Sequence, residues 1–201
     1  ELLSRPELAA SFALEGISGG SAVFDTAKLD WMNGQYIARM PPARLWTSVA
    51  PLLVREGLWP EDRPADEWLG KLLELLRPRA KRLSDFVEQG RPFLVDAVEY
   101  EEEAVRKHLG APGLEEHVKA LVVALAEVTP FDEAHVEAAV RHIAEARGLK
   151  AGALIHAVRV AMTGRTASPG IFEVLVLLGR ARVIERLGRL EIFLAARRST
   201  I

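Results

Sequence analysis

Arg159, Arg165 and Ser168, with the backbone amides of Gly170 and Ile171, lie in one short stretch whose residue types suit an anionic or acceptor-rich ligand. Leu154, Ile155, Val158 and Met162 recur at the three-to-four spacing of a single apolar helical face. Gly164 then supplies the residue without a Cβ that tolerates the left-handed turn ending many helices. Ser168 and Pro169 predict the start of the next helix, a hydroxyl for an orphan amide followed by a proline whose missing N–H costs nothing there. Two helices joined through residues 163–167 would hold both guanidinium groups beside the second helix's amino-terminal amides.

Other combinations with chemical potential fall short of a site. His135 and His142 are two helical turns apart, whereas a metal-binding pair on a helix sits at i and i+4, so no metal ligand is predicted. Glu101, Glu102 and Glu103 are adjacent and point to different sides of a helix, which suits a solvated helix start rather than acid/base work. No glycine-rich phosphate loop follows a strand, and no serine or cysteine nucleophile sits in a recognisable frame. No catalytic residue is predicted.

Composition supports a folded core, with an apolar share of 49% over 201 residues, room for one large or two small domains. No apolar run reaches the roughly eighteen residues of a membrane span, and residues 1–6 lack the regions of a secretory signal, so a cytoplasmic protein is expected. The absence of cysteine removes disulfide and thiolate–zinc options. A net charge of −2 argues against a surface coated in positive charge, but the charge is unevenly spread. Residues 99–137 hold ten carboxylates against Arg106, Lys107 and Lys119, while residues 150–201 hold nine Lys or Arg against three Glu. Arg77, Arg79, Lys81 and Arg82 form a third cluster. Such separation fits a one-sided electrostatic footprint, and equally the solvated faces of surface helices.

The elements that must position these residues are all helical. Helices are expected over 6–14, stopped by Gly16, Gly19 and Gly20; over 26–39, capped by Asp25, with Leu29, Met32, Tyr36 and Ile37 on one face; over 43–56, with Leu45, Val49, Leu52 and Leu53 inward; and over 65–76, with Trp68, Leu69, Leu72, Leu73 and Leu76 on its apolar face, broken at Pro78. A short one follows Ser84 and stops before Gly90. Residues 91–95 are expected as an extended linker. Further helices follow over 101–109, 113–127, 133–146 capped by Asp132, 150–163, and 180–198 with Val183, Ile184, Leu187, Leu190 and Phe193 on its inner side, besides the one starting at Ser168–Pro169. Sustained period-two alternation is absent, so the fold class is all-α, two consecutive helical bundles meeting near residues 92–99.

Phe24-Asp25-Thr26-Ala27-Lys28-Leu29-Asp30-Trp31-Met32-Asn33-Gly34-Gln35-Tyr36-Ile37 resembles the F-D-x-x-K-L-x-W-x-N-x-x-Y-I segment of bacterial glutamyl-tRNA synthetases, at the end of their stem-contact region. Leu76-Arg77-Pro78-Arg79, Val158–Gly164 and Ser168–Leu175 resemble the carboxy-terminal anticodon-binding cage of the same family, in the same order along nearly the whole chain. The resemblance implies residues 1–40 as the end of the stem-contact region, 41–95 as a first helical anticodon-binding subdomain and 96–201 as a second. It implies tRNA, through the anticodon loop of a glutamate tRNA, as partner, with no DNA and no membrane, and a monomer. Arg79 takes the place of the arginine that touches the last anticodon base and separates glutamate from glutamine tRNA. Arg159 takes that of the arginine on the first anticodon bases, Ser168 and Ile171 fall where the family's turn packs on them, and Arg77, Arg165 and Gly170 complete the implied RNA-binding set. Trp31, Asn33 and Tyr36 are expected to fix packing.

Plainer readings stand beside these: a surface arginine at a helix break for Arg79, an ion pair with Glu173 or another carboxylate for Arg159. The signatures of the family's catalytic half, which holds ATP and Mg, are absent from these 201 residues, so no cofactor is expected here and the chain should not activate glutamate. The abrupt start suggests a cut chain. A fragment of a synthetase and a free-standing relative both fit, as does a helical protein-interaction module built on the same scaffold.

Overall fold

The computed structural model describes residues 3–16, 20 and 23–198. Eleven α-helices and no strand occur among them: α1 Arg5–Ser11, α2 Thr26–Arg39, α3 Pro42–Arg55, α4 Glu67–Leu76, α5 Ser84–Leu94, α6 Glu102–His108, α7 Leu114–Glu127, α8 Glu133–Ala146, α9 Ala151–Thr163, α10 Ile171–Leu178 and α11 Arg180–Arg198. Single 3-10 turns follow α1, at Leu14–Gly16, and α4, at Arg77–Arg79. Gly19, one of the expected helix stops, lies outside the described residues.

The predicted apolar stripes face inward in both halves. Leu45, Val49 and Leu53 of α3 and Leu69, Leu72 and Leu76 of α4 are fully buried, as are Leu154, Val158 and Met162 of α9 and Val183, Leu187 and Leu190 of α11. Each such side chain contributes about 1.5–3 kcal/mol relative to exposure. Asp25 and Asp132 cap α2 and α8 by accepting from the amides of Lys28 and His135, and Asp66, within the expected 65–76 helix, instead caps α4 through the amide of Leu69.

The core runs on without interruption from α3–α5 into α6–α11. Polar bonds cross the same boundary. Trp68 on α4 donates from Nε1 to the Leu177 carbonyl at 2.7 Å, and Arg182, Arg186 and Arg189 of α11 donate to carbonyls of residues 92–96.

Two expectations about elements are corrected. Residues 91–94 are helical, not extended: α5 passes through Gly90 and Pro92. Gly90 is buried within the helix, where an added Cβ would meet Leu76 Cδ1 at an ordinary 3.5 Å, so the glycine does not act as a stop. On α2 only Ile37 of the predicted face is buried, while Leu29 and Tyr36 are exposed. That helix is attached by polar contacts instead. Asn33 Nδ2 donates to the Lys81 carbonyl at 2.6 Å, Arg82 grips Asp30 through two 2.8 Å bonds, and Arg77 donates to the Met40 carbonyl. Tyr36 donates its hydroxyl hydrogen to the Leu3 carbonyl, so Asn33 and Tyr36 fix packing as expected.

Candidate functional site

The site forms where the 3-10 turn after α4 faces the connector between α9 and α10. Pro78 removes an amide and stops α4, so the chain turns and projects Arg79 outward. On the facing side α9 ends at Gly164, which adopts φ +75°, and the chain leaves for Arg165. Arg79, Arg165 and Ser168 line one open cavity of about 340 Å³ with Phe93, Glu101 and Thr163 among its other walls. Residues separated by more than eighty positions thus share one concave surface that mixes apolar and hydrogen-bonding groups, the usual make-up of a ligand site.

Arg159 stands at the margin. It is partly buried, and burial together with the nearby Arg79 charge lowers its pKa, which places the two guanidinium groups within electrostatic reach of each other. Its Nε donates to Ser168 Oγ at 3.0 Å, and Nη1 lies 3.0 Å from His156 Nδ1. Ser168 in turn donates to the Pro169 carbonyl. A guanidinium has five N–H groups. Two are engaged in these bonds, and the outer edge, including Nη2, stays available. Among the described residues neither Glu173 nor another carboxylate pairs with Arg159, so the plainer ion-pair reading is not met.

The predicted site residues behave differently from one another. Arg79 is exposed and, among the described residues, its guanidinium makes no hydrogen bond or ion pair. Arg77, by contrast, turns back into the fold, with Nη1 on the Met40 carbonyl at 2.7 Å and Nη2 on Glu74 at 2.6 Å, its side chain only 13% exposed. It braces α4 against the end of α2. Arg165 faces the cavity but pairs with Glu101 at 3.2 Å, a half-exposed bridge that a stronger anion can displace.

Ser168 does not cap α10. Its hydroxyl is engaged by Arg159 and Pro169, so the helix starts at Ile171 with Gly170 before it and no side-chain cap. Nor is the amino terminus of α10 open to an anion, because the Glu173 carboxylate folds over Gly170 and occupies that space. The dipole at that end is met by the chain's own carboxylate. Gly170 and Ile171 therefore help build the wall rather than grip a phosphate.

The one-sided electrostatic footprint is likewise mostly internal. Arg180 donates to the Val128 carbonyl, and Arg182, Arg186 and Arg189 are bonded as described, so the basic carboxy-terminal stretch caps helix ends more than it coats a surface. Two histidines escaped the sequence reading. His156 lies one turn before Arg159 on α9, a spacing visible in the sequence; His108, whose ring stacks on His156 at 4.4 Å and 12°, comes from α6 and carries no local signal. Among the described residues no group of three or more acidic, histidine or cysteine side chains is arranged to hold a metal, and no helix is long and apolar enough to cross a membrane.

Comparison with known proteins gives a consistent assignment. The model of a family described as "Anticodon binding domain" matches residues 43–190. The chain is 39% identical over 189 residues to glutamate–tRNA ligase 2 of Koribacter versatilis, and 34% identical over 191 residues to the glutamate–tRNA ligase of Moorella thermoacetica. Each match takes in 94% of this chain and 39% of the relative, so the chain spans about two-fifths of the length of these curated relatives. In fold it is similar to a glutamate tRNA ligase of Elizabethkingia meningosepticum crystallised in complex with its amino acid, with a TM-score of 0.82 at 22% identity over 96% of this chain and 37% of that one. A glutamate-tRNA synthetase of Elizabethkingia anophelis gives 0.74 at 22% identity, covering 94% and 36%.

Proposed function

This chain belongs to the anticodon binding domain family, and from that membership we propose that it reads the anticodon loop of a glutamate tRNA in the cleft between Arg79 and the 163–169 connector. The observation that carries the reading is the unpartnered Arg79 guanidinium facing Arg165 and Ser168 across one cavity, with Arg159 held behind. Loop bases can be splayed out and read on their edges by hydrogen bonds and stacking, which suits a concave wall of fixed donors on an apolar floor. In this reading Arg79 is the base reader with the most freedom. Arg159 offers the outer edge of an immobilised fork, Arg165 exchanges Glu101 for RNA, and Arg77 is a brace that does not touch RNA. The division at residues 40 and 95, a monomeric state and a cytoplasmic setting belong to the same proposal. Charging of the tRNA with glutamate, with its ATP and Mg, is assigned to none of these residues.

Titrating the chain with a glutamate-tRNA anticodon stem-loop, and with one whose last anticodon base is G, tests this. Tighter, salt-dependent binding of the first supports it; equal affinity for the two ends the discriminating role. Arg79→Ala is expected to reduce the preference at that base by about 1–3 kcal/mol, the size of one good base contact. An unchanged ratio between the two loops would remove Arg79 from the site.

A second reading, a protein-interaction module, draws on the exposed Phe12, Leu14, Phe24 and Trp31 before and along α2. Capture of a defined protein partner that survives ribonuclease and is lost on Trp31→Ser would favour it.

A further inference from the structure

Arg159 owes its orientation to two acceptors, and one of them can titrate. Its Nη1 lies 3.0 Å from His156 Nδ1. Because a guanidinium only donates, Nδ1 must carry the lone pair, which fixes His156 as the neutral tautomer with its proton on Nε2. One face of the ring is covered by His108, stacked at 4.4 Å and 12°. The charged groups that bear on this pair are Lys107 beside His108 on α6, Arg159 on α9 and, through Arg159, Arg79. All are cationic.

Resting on the RNA reading above, we propose that neutral His156 is a positioning residue that aims Arg159 at the loop bases, and that protonation of the stacked His108–His156 pair releases the guanidinium and weakens base reading. A proton on Nδ1 replaces the only ring acceptor with a donor, so the bond to Nη1 is lost. It also places a second positive charge against the guanidinium and one ring face to face with the other. Ser168 Oγ, on Nε, then holds the fork at a single point.

Burial pushes both histidines below their ordinary value, and the neighbouring cations add to it. A depressed folded-state pKa means that the pair stabilises the fold fully above the unfolded value near 6.5, and that this is lost as pH falls through the folded value. The device is therefore set at neutral pH and lost on mild acidification.

The direction of the effect on binding separates it from plain electrostatics. Two added positive charges should tighten non-specific RNA binding. Release of Arg159 should instead lower the preference for the cognate loop. Nitrogen-15 NMR of the 201-residue chain, without RNA, decides the aiming on its own: His156 is expected as the Nε2–H tautomer at neutral pH, titrating below the ordinary value. The Arg159 Nε–H signal should move with the same midpoint. An Nδ1–H tautomer, or an Arg159 signal indifferent to that midpoint, overturns the proposal whatever RNA does.

With RNA, the ratio of affinities for the cognate and altered stem-loops is expected to fall below the histidine midpoint by up to about tenfold per pH unit. His156→Gln, whose amide oxygen accepts but does not titrate, should keep most of the ratio at neutral pH and flatten its pH dependence. His156→Phe should lower the ratio at every pH. A His156→Gln profile that still follows the wild-type pH curve overturns the proposal. Failure of both loops to bind, with the NMR result as expected, leaves the aiming of Arg159 standing and removes the RNA reading instead.

Discussion

Gly164→Ala is expected to destabilise the chain by on the order of 3–5 kcal/mol, from a left-handed backbone and overpacking acting at one position. Gly164 ends α9 at φ +75°, where an L side chain is strained by about 1–2 kcal/mol. An added Cβ would also stand 3.2 Å from the Glu99 carbonyl carbon and closer still to its oxygen. This neighbour is backbone and cannot rotate away. It is held in turn, because the Gly164 carbonyl accepts from the Glu101 amide at 2.9 Å, tying the connector to the entry of α6. Relief must come from shifting the connector that carries Arg165 and Ser168, so stability and binding should fall together. Gly170→Ala is the control. Its φ of −48° is ordinary and its close neighbour is the flexible tip of Glu173, so a change within about 1 kcal/mol is expected. Denaturant midpoints of the two variants test the contrast, and an unshifted Gly164→Ala would sink it.

The same connector shows what is legible in a sequence and what is not. Gly164 as a stop is local chemistry, fixed by the missing Cβ, and it is where expected. Ser168 as a cap is also local chemistry, yet it fails, because a partner nine residues away, Arg159, engages the hydroxyl first. Cap signals state what a side chain can do; tertiary neighbours decide what it does. The apolar periodicity of α3, α4, α9 and α11 predicted their buried faces well, since a 3.6-residue repeat needs no knowledge of partners. On α2 the same periodicity misled, because that helix is anchored through Asn33, Asp30 and Tyr36 and leaves Leu29 in solvent.

The site divides along the same line. Arg79, Arg165 and Ser168 were nameable from the sequence, by resemblance and by local signals, and they do share a cavity. That Arg77 turns inward, two residues before an arginine that turns outward, depends on carbonyls at the end of α2 that no spacing rule reveals. Charge counts misled for a related reason: arginine is also a ligand for helix-end carbonyls, so a basic stretch need not be a basic surface.

Arg186→Met is expected to cost on the order of 3 kcal/mol or more, chiefly because it orphans the buried carbonyls of Met162 and Pro92 and the half-buried one of Val95, at about 1–3 kcal/mol for each buried group. Arg186 is 1% exposed and sits on the inner stripe of α11 among Val183, Leu187 and Leu190. Among the described residues no carboxylate pairs with it. Its Nη1 donates to the Met162 carbonyl at 2.5 Å, and Nη2 donates to those of Pro92 and Val95 at 2.7 Å each. Met162 is in the last turn of α9, and Pro92 and Val95 are at the end of α5, where helices leave carbonyls without internal partners and carry the negative pole of their dipoles. Two converging helix ends thus do the work of a counter-ion. Burial, then Arg182 and Arg189, lowers the Arg186 pKa to about 10, which leaves it charged at neutral pH. Methionine removes the cost of burying a charge, and where a buried ionic cluster is replaced whole that relief can win. Here only one side is replaced, and the carbonyls stay. Arg186→Lys keeps the charge but not the fork that reaches three oxygens, so it should recover only part of the loss. Because Pro92 and Thr163, next to Met162, both line the cavity beside Arg79, slackening this joint should also blur discrimination between RNA loops before it abolishes binding. Denaturant midpoints as high as wild type for Arg186→Met would show that the carbonyls find other partners, and that the apolar core with the bonds of Trp68, Arg182 and Arg189 is enough to hold the two halves of the cleft.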